Sequence, residues 1–428
     1  MKDIFKGLIT DFQERTLSGI VPREYDIPSD SDKIISLIGV RRCGKTYILF
    51  DLISRLRETI QSENIIYINF EDDRLFPIQL KDLDALMDGY YEMYPDKRSE
   101  TVYVFLDEVQ NIPEWERYVR RIYDTLNARI FVTGSSSKLL SKEIATSLRG
   151  RTLTYEIFPY SFVDFLKAKK INVNINSSAS VSHIRNALNE FLTDGSFPET
   201  LAKTADIKRR ILRDYLDLIV YKDIVERYGV KNNSLLKHII KYSFCNIATL
   251  ASFTKLYNDF KSQGYKVSKD AVFDYYSYLE DAYAVFSVPI FRNNIREETR
   301  NPKKIYSVDN GFKGVFDAFV TDDFGKLYEN AVFLHLRRRT PEVYYYGGKQ
   351  EVDFYSRIDG RQILVNVSYK IDNQSTRERE INGLSEAMEF FKMGEAYLIT
   401  ESHEEVISLE NGKQIFVVPL WKWLLQKI

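Results

Sequence analysis

Cysteine is nearly missing from this chain, with only Cys43 and Cys245 in 428 residues. Two thiols so far apart cannot build a disulfide framework, and their scarcity fits a reducing compartment. The four histidines, His183, His238, His335 and His403, are scattered, so no Cys/His cluster has zinc-site spacing. No stretch approaches the roughly 20 apolar residues that cross a bilayer. The opening Met1-Lys2-Asp3-Ile4-Phe5-Lys6 lacks the apolar run of a secretion signal. A cytoplasmic protein with no membrane partner is expected. Net charge is nearly absent too: −1, from 60 Lys+Arg and 61 Asp+Glu. The chain as a whole has no basic field for nucleic acid, so a DNA contact would need a local patch. Internal repeats and low-complexity segments are also lacking.

What is present is chain enough for several cores. At about 100–200 residues per domain, two to four modules are expected. Residues 4–18 read as a short amphipathic helix. After Pro22 and Pro28, strands at 33–38, 64–70, 101–106, 129–133 and 151–157 alternate with helices at 45–58, 79–92 and 113–126. That alternation predicts an α/β class, with a parallel sheet covered by helices on both faces. Residues 160–230 read as mostly helical, broken by a turn at Gly195-Ser196-Phe197-Pro198-Glu199. Residues 233–308 read as three helices and two strands, the outline of a winged helix, with a polar arm at 291–303. The final α/β unit has a helix at 324–338 and strands at 342–346, 351–356 and 362–369. A helix at 376–392, a strand at 395–400 and a segment rich in Trp and Leu complete it. The expected partition is 1–158, 159–230 (a helical lid or linker), 231–311 and 312–428.

Gly39-Val40-Arg41-Arg42-Cys43-Gly44-Lys45-Thr46 fits G-x-x-x-x-G-K-[ST] between an apolar strand and a helix. Glycines let the backbone curl so that successive N–H groups face phosphate, and the helix adds the positive end of its dipole. The expected nucleotide-binding set is Gly39, Arg42, Cys43, Gly44, Lys45, Thr46 and Tyr47. Lys45 would reach the β- and γ-phosphates, and the Thr46 hydroxyl would ligate Mg2+. A second apolar strand ends in Asp107-Glu108. Its end would lie beside the loop, where open α/β sheets bind ligands. Asp107 would hold the metal and Glu108 would orient the attacking water, which turns ATP binding into ATP hydrolysis.

The fourth strand runs into Ser135 and Ser136, either of which would sense the γ-phosphate, Ser135 first. A Ser-rich turn explains them equally well. Arg149 or Arg151 would stabilise transition-state charge, often from a neighbouring subunit, against the plainer reading of a solvated or ion-paired arginine. Glu71-Asp72-Asp73 read as a turn cap rather than a metal site.

Further segments add specificity: INFEDDRL, VFLDEVQNI, FVTGSSSKLL, LRGR, FPYSFVDFL, GSFPE, YKDIVERY, KIYSVDNGF, YENAVFLHL and EVDFYS. Together with GVRRCGKT they resemble prokaryotic AAA-type P-loop ATPases with a C-terminal domain of unknown function. The resemblance implies a P-loop NTPase sheet with an added central strand, a winged-helix module and a restriction-endonuclease-like terminal domain. Such nucleases use a helix acid, a strand Asp and Glu-x-Lys on the next strand. Glu329 and Asp353 match, but Asn366 and Ser368 stand where the acid and lysine belong. Period-two geometry puts Lys370 on the same face as Asn366 and Ser368, where it would serve as a displaced lysine. Without the acid and with Ser for Lys, cleavage is not expected.

The arm Arg292–Lys304 and the runs Lys208-Arg209-Arg210 and Arg337-Arg338-Arg339 are short basic patches, read equally well as solvated. The resulting expectation is an ATP- and Mg2+-dependent ATPase switching DNA, a protein partner or its own assembly. The alternatives are an ATP-gated DNA nuclease and a non-hydrolysing module organised by ATP.

Overall fold

The computed structural model describes residues 1–134, 148, 150–292, 294, 301–316, 324–410 and 412–426. The chain forms two units, Met1–Phe158 and Pro159–Ile428.

In the first unit, β1 (Ile34–Ile38), β2 (Ile65–Asn69), β3 (Val102–Asp107), β4 (Ala128–Gly134) and β5 (Thr152–Glu156) form a parallel sheet in the order β2-β3-β4-β1-β5. The central strands are apolar runs because both faces are covered. Helices α2 (Lys45–Leu56), α3 (Asp84–Met93) and α4 (Trp115–Thr125) make the crossovers. Strand β4 lies between β1 and β3, the added central strand of a P-loop NTPase fold. The register pairs Ile38 with Gly134 and Leu106 with Val132. The loop after β1, the acids ending β3 and the end of β4 therefore share one edge of the sheet.

Helix α1 (Lys2–Glu14) buries Phe5, Leu8, Ile9 and Phe12, one face at i, i+3, i+4, i+7. It stops four residues short of the expected 18. The Arg57 guanidinium accounts for this, donating to the Phe12 and Arg15 carbonyls at 2.9 and 2.7 Å and satisfying the helix end.

The second unit opens with α5 (Phe162–Ala168), started by a reciprocal Ser161–Asp164 capping box. Helices α6 (Ser178–Asp194) and α7 (Ala205–Leu218) flank the 195–199 turn. The Ser196 N–H and hydroxyl both donate to Asp309 Oδ2 at 2.8 Å, and the Gly311 N–H donates to Oδ1 at 2.8 Å. A Cβ on Gly195, whose φ is +83°, would stand 2.0 Å from Asp309 Oδ1.

Three helices follow, α8 (Asn233–Cys245), α9 (Phe253–Ser262) and α10 (Lys269–Asp281). Three short strands accompany them, β6 (Thr249–Ala251), β7 (Val285–Val288) and β8 (Lys303–Ser307), paired in the order β6-β8-β7. The sequence reading lacks β6, a strand of three residues. A short helix, α11 (Gly311–Phe316), comes next. Then α12 (Phe324–Arg337), β9 (Val343–Gly347), β10 (Glu351–Ile358), β11 (Arg361–Val367), α13 (Gln374–Phe391) and β12 (Glu395–Thr400) lead to β13 (Glu405–Ser408), β14 (Gln414–Pro419) and α14 (Leu420–Leu425). The sheet order is β13-β14-β12-β11-β10-β9. Leu384, Ala387, Met388 and Phe391 of α13 pack against Val352, Leu364 and Leu398 in its core.

Candidate functional site

Strand β1 leads into a loop that only a glycine can start. Gly39 has φ +151°, and a Cβ there would stand 2.1 Å from the Ile157 carbonyl oxygen. Arg42 and Gly44 are also left-handed, at φ 65° and 100°, and α2 begins at Lys45. The Arg23 guanidinium braces the loop from below, donating to the Cys43 carbonyl at 3.0 Å and the Phe158 carbonyl at 2.7 Å. Cys43 is fully buried, and burial pushes its thiol up, away from reactivity. Tyr47, one residue into α2 from Thr46, is half exposed, with its ring edge toward Phe50.

Lys45 is folded back into the loop. Its ammonium donates to the Gly39 and Val40 carbonyls at 3.1 and 3.2 Å and lies 3.9 Å from Glu108. The Thr46 hydroxyl donates to Asp107 Oδ2 at 2.7 Å. Asp107 is wholly buried and accepts from two more hydroxyls, Tyr67 at 2.8 Å and Thr133. Burial raises its carboxyl, the neighbouring Glu108 charge adds to this, and the three hydroxyls oppose it. Phe12 of α1 stacks on Tyr67 at 4.3 Å between centroids, so α1 supports the acid indirectly.

Glu108 has a left-handed backbone, φ 56°, at the sharp exit from β3. Its N–H donates to Thr133 Oγ1 at 3.0 Å, and its carboxylate accepts from Gln110. Thr133 therefore touches both acids, and sequence reasoning missed it. Ser135 and Ser136, the residues chosen for this place, lie outside the described residues, as does Arg149. A readable signal existed: Thr133 is the polar residue inside the apolar run Phe131-Val132-Thr133, in the strand expected beside the acids.

For Arg151 the plainer reading, an ion-paired arginine, describes its place in its own chain. The register pairs Ile34 with Thr152, so Arg151 lies at the end of the sheet opposite the loop. There it forms an ion pair with Asp124 at 3.1 Å. It does not approach the loop of its own chain. In the acidic run, the Asp72 carboxylate accepts the Arg74 N–H at 3.0 Å and caps a turn, while Glu71 lies 3.4 Å from Arg41.

In the second unit, Glu329 on α12 and Asp353 on β10 converge on the same ammonium, that of Lys304. Strand β11 stops at Val367, so Ser368 and Lys370 lie beyond the strand that was to carry them. Ser368 donates to the Lys370 carbonyl at 3.2 Å, and the Lys370 ammonium sits 5.7 Å from the Tyr369 ring centroid. The period-two placement of Lys370 is corrected accordingly. Basic patches are partly consumed by the fold. Lys208 is buried between Glu190 and Asp194 at 2.6 and 3.0 Å, and Arg338 donates to the Pro159 and Tyr160 carbonyls. Of the arm, residues 293 and 295–300 lie outside the described residues. Among the described residues no His/Cys/Asp/Glu group has metal-holding geometry, and no helix is long and apolar enough to cross a membrane.

Residues 31–166 match the family model of an AAA domain, and 185–319 and 324–423 match two domains of unknown function, DUF8612 and DUF4143. The Walker-type ATPase PABY2304 of Pyrococcus abyssi is similar at 15% identity and a TM-score of 0.44, over 70% of this chain and 99% of that one. An uncharacterized protein of Haemophilus influenzae is 30% identical over 93% of this chain and 95% of its own. The protein MJ1544 of Methanocaldococcus jannaschii is 36% identical over 99% of this chain and 96% of its own. This chain belongs to the same family as MJ1544, and its first unit is an AAA-type P-loop domain.

Proposed function

We propose that the protein binds ATP at the 39–46 loop and hydrolyses it with Mg2+, driving a conformational switch on DNA or a protein partner, or in its own assembly. One observation carries this reading: Thr46 and Asp107 are joined at 2.7 Å beneath the loop, with Glu108 next in the chain and Thr133 touching both acids. A hydroxyl and a carboxylate are the hard oxygen ligands that Mg2+ prefers. Asp107 suits a cation further, because its carboxylate is buried among neutral hydroxyls. Thr46 and Asp107 would hold the ion, which supplies charge neutralisation at the β- and γ-phosphates.

Lys45 would leave the Gly39 and Val40 carbonyls for phosphate oxygens, and Glu108 would release Gln110 to orient water. The loop N–H groups of Arg42, Cys43 and Gly44 would face phosphate, and Tyr47 would lie beside the nucleotide. Ser135 is proposed to sense the γ-phosphate. Arg151 is proposed only for the loop of a neighbouring copy. The order β6-β8-β7 with three helices supports a winged helix at 231–311. The succession α12, β9, β10, β11, α13, β12 supports a nuclease-like terminal domain. With the helical stretch 159–230, these are the proposed effector parts.

The test is phosphate release with and without DNA at controlled salt. Lys45→Ala is expected to lose ATP binding, and Glu108→Gln to keep binding and lose turnover. Undiminished hydrolysis by Glu108→Gln removes Glu108 from its role, and no phosphate release under any DNA or partner condition favours a non-hydrolysing module.

A further inference from the structure

Lys304 is on β8, and its side chain is only 4% exposed. Its ammonium is surrounded by carboxylates of the terminal α/β segment: Glu329 at 2.9 Å, Glu351 at 2.8 Å and Asp353 at 2.7 Å. Tyr306, on the same face of β8, donates to the same Glu329 oxygen at 2.6 Å. The second Asp353 oxygen accepts the Val367 N–H at 2.8 Å. Asn366 accepts the Asp353 N–H at 3.0 Å and donates to Glu380. Three acids from α12 and β10 thus meet at the ammonium, with Glu329 and Asp353 buried and aimed by hydrogen bonds and Glu351 at the exposed rim, while Glu380 of α13 holds Asn366 and pairs with Arg379.

Grouping carboxylates away from water is costly unless a cation joins them. Carboxylate oxygens from a helix and a strand turned to one point are the hard ligands a divalent ion takes, yet as they stand around the ammonium they have no metal-holding geometry. That point holds an ammonium from the chain itself. Asn366 fits the substitution, since a neutral residue at the strand position suits a single positive charge. We propose that Lys304 is a built-in cation occupying a divalent-metal position in the terminal α/β segment, keeping that segment metal-free and non-cleaving while pinning the β7–β8 hairpin to it. Burial alone would pull the ammonium down, but Asp353, Glu329 and Glu351 outweigh it and hold Lys304 well above the ordinary lysine range. The inference rests on the surroundings of Lys304 and is independent of the ATP site.

The test uses the full chain without nucleotide. Lys304→Met removes the charge and keeps most of the side-chain volume. It is expected to bind one more Mn2+ per chain than the parent, read by electron paramagnetic resonance, and to recover its lowered Tm when Mn2+ is added. Asp353→Asn in that background is expected to abolish the added site. Should Lys304→Met fold poorly, the double variant Lys304→Met, Asp353→Asn is expected to melt higher than the single variant, because the stranded charge is gone. The proposal is overturned if folded Lys304→Met takes up no added Mn2+, or if the double variant melts no higher than the single. It is equally overturned if the parent binds Mn2+, or nicks supercoiled plasmid, in a way that Asp353→Asn removes.

Discussion

Replacing Thr133 by valine isolates the residue that joins the two acids of the ATP site. Valine keeps the shape and the strand preference, and position 133 is fully buried, so packing changes little. Two hydrogen bonds disappear together: the one donated to Asp107, and the one accepted from the Glu108 N–H at 3.0 Å. A hydrogen bond to a charged group is worth about 1.5–3 kcal/mol, and a stranded buried donor costs about 1–3 kcal/mol. Because one hydroxyl makes both, simple addition overstates the loss, and about 2–5 kcal/mol is expected for the first unit. The Asp107 carboxyl, already raised by burial, moves further up as a donor is withdrawn. With both acids less firmly aimed, turnover is expected to fall about 10- to 100-fold, about 1.4–2.7 kcal/mol of activation free energy. The KM for ATP should hold, because the loop itself is untouched. Calorimetry of the full chain, resolving the two units as separate transitions, and a steady-state ATPase assay measure both effects. Thr133→Ser restores the hydroxyl and should recover most of each. A Thr133→Val protein within about 0.5 kcal/mol of the parent, as an ordinary surface change would be, and with unchanged turnover refutes the reasoning.

Gly39→Ala must force a methyl to 2.1 Å from the Ile157 carbonyl oxygen at φ +151°, so fluorescent-nucleotide titration should show ATP affinity falling more than about tenfold; parental affinity would contradict a glycine requirement. Burial pulls the His335 imidazole down to about 3, with Arg338 and Arg339 adding to it. Its folded value lies below its unfolded one, so its contribution is complete above about pH 6.5 and is lost as pH falls toward 3. Between pH 7 and pH 5 the second unit should lose about 2 kcal/mol that His335→Leu does not lose, and parallel pH slopes would refute this. Asp309→Asn weakens three charge-assisted hydrogen bonds to Ser196 and Gly311 and should cost the second unit about 2–4 kcal/mol while leaving the first transition in place. A shift confined to the first transition would refute that assignment.

The loop and the acid-ended strand of the proposed nucleotide site were legible as structure because their signals are local. Gly39 to Thr46 lie within one turn of chain, and Asp107-Glu108 close an apolar strand. The β13–β14 hairpin was missed although Asn411-Gly412 is a turn signal, because Glu405–Ser408 alternates as an exposed edge rather than an apolar run. Thr133 was passed over for the serines after it although a polar residue closing an apolar run marked it, and the register with β3 is what sets it against Asp107. Lys304 was beyond reach for another reason. Its partner Asp353 is 49 residues away in sequence, and nothing local marks a strand lysine as the counter-charge of a later segment.

The bond between Ser196 and Asp309 spans 113 residues, which gives it a temporal side. A ribosome adds about 5–20 residues per second, so the 195–199 turn waits roughly 6–23 s after its own synthesis before the carboxylate that closes it exists. During that interval the Ser196 donors lack the carboxylate that takes both of them in the folded chain. A chain halted before residue 309 keeps them so permanently, which makes truncations in this stretch candidates for chaperone retention and degradation rather than for independent folding.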